Sequence, residues 1–187
     1  FSNMSHYNAV RYAWRINVKR AKKADYIFAM EQGRCVDIFV VRDTDSRINE
    51  REYKAVCEWE KSNKVMHVMR DHPHHKYKIL GGMWGYKNYK EMLNVKSKMI
   101  DFLKNRKYIF KRMDDMLFLN QIYDICNDKT MEHDQFFNYK YSIPFPDDSY
   151  KNTYYKFVGE IFDEHDNNPY RERDTKLFEN FKLKRKR

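Results

Sequence analysis

The sequence is poor in the residues that staple a chain or break it. Three cysteines occur in 187 residues. They are Cys35, Cys57 and Cys126, and no two of them form a C-x-x-C pair. That argues against a zinc ribbon or a dithiol redox centre. An odd number at wide spacing suits free thiols in a reducing compartment, so a cytoplasmic location is expected. Long apolar runs are also missing. None reaches the ~20 residues that cross a bilayer, and no secretory h-region opens the chain, so no transmembrane segment is expected. The chain begins at Phe1 rather than at a methionine, and we expect a segment to precede it. Glycine is scarce, with five residues, and proline scarcer, with four. No internal repeat is visible.

What is present describes a folded globule. Hydrophobic residues make up 42% and aromatic residues 17%, far from the composition of a disordered tail. The length suits one domain with one substantial core. We read residues 1–187 as that domain, with a basic tail over 171–187. Lysine and arginine number 37 against 27 acids, a net charge of +10. Such a balance suits a polyanionic partner: nucleic acid, an anionic membrane or a nucleoside diphosphate. For most of these residues a solvated surface is the simpler reading.

Ser5 to Lys23 has the spacing of a basic amphipathic helix. Val36 to Val41 is a short β-branched and aromatic run, expected to be a central, buried strand. It ends in Arg42-Asp43-Thr44-Asp45-Ser46-Arg47. Asn49 to Glu60 predicts a helix capped by Asn49, with Glu52 three residues on as in a capping box, and with Ala55, Val56 and Trp59 buried. Lys64 to Met69 predicts a second strand. Glu91 to Asn105 and Asp114 to Cys126 predict helices, the latter opened by two acids that favour the helix dipole. Tyr155 to Glu160 reads as a strand, Asp163 to Tyr170 as loop, and the segment from Arg171 as helix. Alternating strands and helices imply an α/β layer with a mostly parallel sheet flanked by helices. Ligands of such sheets bind at the carboxyl ends of strands, where Asp43 and Asp45 fall.

Two carboxylates one residue apart can both face a hard divalent cation, Mg²⁺ or Mn²⁺, that shares its ligands with substrate phosphates. Arg42 and Arg47 flank them and can meet phosphate oxygens or pin the acids. A lone D-x-D is more often a polar turn; its place after an apolar strand favours a site. Three of the five glycines lie in Ile79-Leu80-Gly81-Gly82-Met83-Trp84-Gly85. Glycines there permit close backbone approach by a ligand, and Trp84 offers a stacking face; a tight turn with a core tryptophan is the alternative. The cluster His67, His72, His74 and His75 is a poor zinc site, since it has no cysteine partner and adjacent His74 and His75 aim badly at one metal. Asp114 or Asp115 can serve as a general base or simply as helix-start electrostatics. Glu132-His133-Asp134 can supply a late metal or phosphate ligand, or be loop polarity.

Taken together, Arg42-Asp43-Thr44-Asp45-Ser46-Arg47, Arg51-Glu52, His67-Val68-Met69-Arg70-Asp71-His72 and Gly81-Gly82-Met83-Trp84-Gly85 resemble a D-x-D glycosyltransferase-like family of large DNA viruses and microbes. The likeness is dense from Val36 to Trp84 and looser beyond. It implies a GT-A-type, Rossmann-like fold and transfer of a sugar from a nucleotide-sugar donor to a hydroxyl on a glycan or glycoprotein. It also implies a setting in a virus-infected cell. By position, Asp43 and Asp45 would hold Mn²⁺ or Mg²⁺, with His133 as a further metal contact. Arg42, Asp43, Arg47, Gly81, Gly82 and Trp84 would bind the donor, and Asp115 or Asp114 would be the catalytic base. One departure stands out. GT-A domains open with a strand that helps grip the nucleotide base, whereas here only the basic helix precedes the first strand. The chain is then either truncated or a degenerate relative lacking that strand.

The rival class is a basic nucleic-acid-binding protein or a metal-dependent nuclease. The net charge of +10 and the 15 tyrosines favour it, because basic and aromatic side chains together track phosphates and stack on bases.

Overall fold

The computed structural model describes residues 38–87, 98, 101–102, 104–105, 114–137, 139, 141–146 and 156–185. The expected helix over Ser5–Lys23, the start of the first strand at Val36 and Asp37, and most of the expected helix Glu91–Asn105 lie outside them. So do Cys35 and the side chains of the basic end beyond Phe181.

The described chain is of the α/β class. Its elements are β1 (Ile38–Arg42), α1 (Glu50–Lys61), β2 (Met66–Arg70), β3 (Met83–Lys87), α2 (Asp114–Cys126), β4 (Thr130–Asp134), β5 (Ser142–Ile143) and α3 (Arg171–Arg185). The five strands form one mixed sheet in the order β1-β3-β2-β4-β5. β3 runs antiparallel to both β1 and β2, while β4 is parallel to β2 and β5 to β4. Four strands therefore point one way and β3 alone points back.

That return strand corrects an expectation. β1 is not central: among the described residues it forms an edge of the sheet, and only Arg42 in it is fully buried. The reason is the turn at Gly81–Gly82, which sends β3 back through the slot between β1 and β2. β2 takes the interior position, with all five residues buried. The expected strand Tyr155–Glu160 is also absent among its described residues. A turn with Gly159 at φ 83 stands there instead.

Alternation along the strands divides the core between two faces. Met66, Val68, Trp84 and Tyr86 pack with Phe118, Leu119, Ile122, Tyr123 and Cys126 of α2. Met69 and Met83 pack on the other face with Ala55 of α1, Phe145 and Val158. A third cluster of Phe136, Phe157 and Phe178 seats α3. α1 starts and stops where its ends are satisfied. Asn49 caps it by accepting from the Glu52 amide at 2.8 Å. At the other end, Lys87 donates from Nζ to the carbonyls of Trp59 (2.9 Å), Glu60 (3.0 Å) and Ser62 (2.6 Å). No helix among the described residues is long and apolar enough to cross a membrane.

Candidate functional site

The ladder between β1 and β3 ends at the pair Arg42 and Met83. Beyond it the chain turns: Ser46 donates to the Asp43 carbonyl from its amide (3.2 Å) and its hydroxyl (2.8 Å). Asp43, Thr44 and Asp45 are exposed on this turn. A distant segment laces the turn down. Ser46 forms a β-bridge with Ile161, and the Phe162 amide donates to the Asp45 carbonyl at 2.8 Å. Arg47 lies beside it, donating from Nε to Asp166 at 2.8 Å, with its guanidinium 5.6 Å from the Phe162 ring centre. This second segment was not visible as part of the site in the sequence, since nothing local to Ile161–Asp166 marks its contact with residues 45–47.

The antiparallel register sets Gly82 opposite the start of the turn. A β-carbon on Gly82 would stand 2.7 Å from the Asp43 amide nitrogen and closer still to the Asp43 carboxylate. A β-carbon on the neighbouring Gly81 would stand 2.9 Å from Oδ2 of Asp115. Asp115 is the second residue of α2 and is half-buried. Consecutive α-carbons are ~3.8 Å apart, which bounds the separation of the two carboxylates at about 12 Å. The structure thus gathers Asp43, Gly81, Gly82 and Asp115, with Asp45 on the same exposed turn. Asp114 opens α2, but its side chain lies outside the described residues.

Other expected site residues are committed elsewhere. Arg42 is buried and ion-paired with Glu52 of α1; it also donates to the Val41 carbonyl at 2.5 Å and the Trp84 carbonyl at 3.3 Å. Its guanidinium faces the α1 side of the sheet and not the exposed turn. Trp84 is 2% exposed, meets Phe39 edge-on and donates from Nε1 to the Gly81 carbonyl at 3.1 Å. It is a core ring that braces the glycine turn rather than an open stacking face. His133 is fully buried, with Nδ1 2.8 Å from Nε2 of His67 and Nε2 3.2 Å from Glu58. Both of its ring nitrogens are engaged, so it adds no ligand to the aspartates on the turn.

The motif that carries the family resemblance is largely a set of buried ion pairs. Arg42 pairs with Glu52, Arg51 with Asp71, and Arg70 with both Glu132 and Asp134. Arg51 grips Asp71 with two donors, at 2.8 and 2.9 Å, and the Val158 amide adds a third at 2.9 Å. Burial pushes the Asp71 carboxyl up to about 6 against the pull of Arg51. Tyr123 donates to Glu132 at 2.5 Å. Charges this deep need partners, and the sequence signal for them was arginines and acids interrupting apolar strands.

The histidines follow the same logic. Burial holds His67 well below its ordinary value, His72 at about 4 and His75 at about 3, and it also lowers His133. His72 Nδ1 accepts from the His74 amide at 3.1 Å, and His75 Nδ1 accepts from the Asp71 amide at 3.2 Å. These rings shape the loop after β2. Among the described residues, no group of three or more His, Cys, Asp or Glu side chains is assembled to hold a metal. A two-carboxylate site completed by phosphate and water is the arrangement that Mg²⁺ favours, and Asp43 and Asp45 are the two carboxylate residues of the exposed turn.

Set against protein-family models, curated proteins and solved structures, the chain gives no significant match to any of them. What the site can do therefore rests on its own geometry: two aspartates on an exposed turn, a nearby arginine, and a third carboxylate at a helix start.

Proposed function

We propose that the protein is a metal-dependent glycosyltransferase with a GT-A-like sheet. In this reading Asp43 and Asp45 hold Mn²⁺ or Mg²⁺ beside the diphosphate of a nucleotide-sugar donor. Arg47 is the donor-side cation and Asp115 the base for the acceptor hydroxyl. The observation that carries the reading is the seating of Asp43 and Asp115 on neighbouring glycines at the carboxyl end of β1. It brings acids from a strand end and a helix start to one place. A bound cation would supply charge neutralisation for the departing diphosphate. Asp115 would take the acceptor proton. Gly81 and Gly82 would form the backbone floor between them.

The test is a thermal-shift panel of nucleotide sugars with and without Mn²⁺, run beside a single-stranded oligonucleotide. A ligand at a hundred times its dissociation constant stabilises the fold by about 2.7 kcal/mol. Stabilisation by one nucleotide sugar, dependent on Mn²⁺, is the expected outcome. Stabilisation by the oligonucleotide alone would favour the nucleic-acid reading, to which the net charge of +10 also lends itself.

A further inference from the structure

Adjacent glycines in a turn are commonly there for backbone conformations closed to other residues. Gly81 and Gly82 are not: neither has a φ in the left-handed range, which among the described glycines is found at Gly159. Their shared property is what stands over them. The space a side chain on Gly81 would take holds the tip of Asp115, and the space over Gly82 holds Asp43. Gly85 is different in kind. Its space is closed by the Phe39 carbonyl at 2.8 Å and the Trp59 ring at 3.0 Å, so it is a packing glycine.

We propose that the Gly81–Gly82 step is a positioning element: each glycine seats one carboxylate, Asp43 on Gly82 and Asp115 on Gly81. Their spacing then sets the distance between the cation end of the site and its base end. What the two acids do rests on the glycosyltransferase reading; where they sit does not. The two glycines on this account do not border an open sugar pocket, because the acids already fill the room they leave. A methyl group on Gly81 pushes only on the flexible end of Asp115. A methyl group on Gly82 pushes on the Asp43 carboxylate and also on its backbone amide.

The experiment uses the full chain with aspartate labelled at the carboxyl carbon and read by NMR. Gly81→Ala is expected to displace the Asp115 signal and leave those of Asp43 and Asp45 in place. Gly82→Ala is expected to displace Asp43 and leave Asp115. Added Mn²⁺ should broaden Asp43 and Asp45 in the parent. Gly82→Ala should then weaken Mn²⁺ about tenfold or more, as loss of a supporting contact to a ligand does, and Gly81→Ala should not. In a transfer assay, Gly81→Ala should lower kcat with the donor KM unchanged. If Mn²⁺ leaves the parent signals sharp, the metal reading falls while the shifts still decide the glycine assignment. Should Gly82→Ala fail to fold, Gly81→Ala alone decides. An Asp115 signal that stays put, or one that moves together with Asp43, overturns the proposal.

Discussion

Arg42, the residue that enters the D-x-D turn, is turned inward and closed onto Glu52 in the first turn of α1. The strand end that presents Asp43 is thereby tied to the helix that follows it. Glu52 was expected to complete a capping box. Its amide does meet Asn49, but its carboxylate is engaged by the Arg42 guanidinium.

Removing one partner of such a pair strands the other charge in the interior. Glu52→Gln and Arg42→Met should each cost about 3–5 kcal/mol of stability, and the apolar double variant Arg42→Met with Glu52→Leu should cost less than either. Urea unfolding of the three variants measures this. A double variant as unstable as the sum of the singles would mean that Arg42 and Glu52 act independently and not as a coupled pair.

Asp45 is exposed on the turn, and its backbone carbonyl, not its side chain, anchors Phe162. Asp45→Asn should therefore keep the parent melting temperature and lose Mn²⁺-dependent donor binding, because an amide lacks the charge a hard cation needs. Calorimetric titration with donor, with and without Mn²⁺, is the measurement. Unchanged donor affinity in the variant would remove Asp45 from the metal site.

Asp115 as the base predicts a separation of binding from turnover. Asp115→Asn should bind donor as the parent does and lose transfer by 10²-fold or more, roughly the contribution of general-base catalysis. Asp114→Asn, at the first position of α2, should lose little of either. A donor affinity that falls in step with turnover would make Asp115 a donor contact.

Acid should weaken the fold. His67, His72, His75 and His133 all have lowered values, so each is neutral when folded and takes up a proton on unfolding. Their contribution is intact above about pH 6.5 and declines as pH falls. For one histidine kept fully neutral, pH 5 costs about 2 kcal/mol relative to pH 7. Asp71 acts the other way. Its folded value of about 6 lies above its ordinary one, so its contribution is present in acid and lost as pH rises through 6. Burial raises the Glu160 carboxyl too, so it sides with Asp71. Four histidines oppose these two carboxyls, and the urea midpoint should be lower at pH 5 than at pH 7. His75→Gln, which keeps an acceptor for the Asp71 amide, should shrink that difference. A midpoint that rises on acidification would mean that the buried carboxyls Asp71 and Glu160 dominate.

Local pattern alone determined much of this protein. The capped helix α1, the acid-opened helix α2, the helical segment from Arg171 and the apolar cores of β1 and β2 all follow from spacing, caps and β-branched runs, which act over a few residues. The exposure of Asp43 and Asp45 was legible for the same reason, because a D-x-D-S-R stretch after an apolar strand has to turn. Tertiary structure decided the rest. β3 was hidden in Met83-Trp84-Gly85-Tyr86-Lys87 because its glycine and lysine are paid for by contacts with Trp59 and the end of α1. β4 was hidden because Glu132, His133 and Asp134 are tolerable in a strand only once Arg70 and His67 stand beside them. Whether Arg42 and Trp84 face a ligand or the interior turns on strand parity, and a shift of one residue reverses it. The placing of Asp43 and Asp115 over two adjacent glycines depends on the antiparallel return of β3, a pairing between segments some forty residues apart that no local propensity encodes.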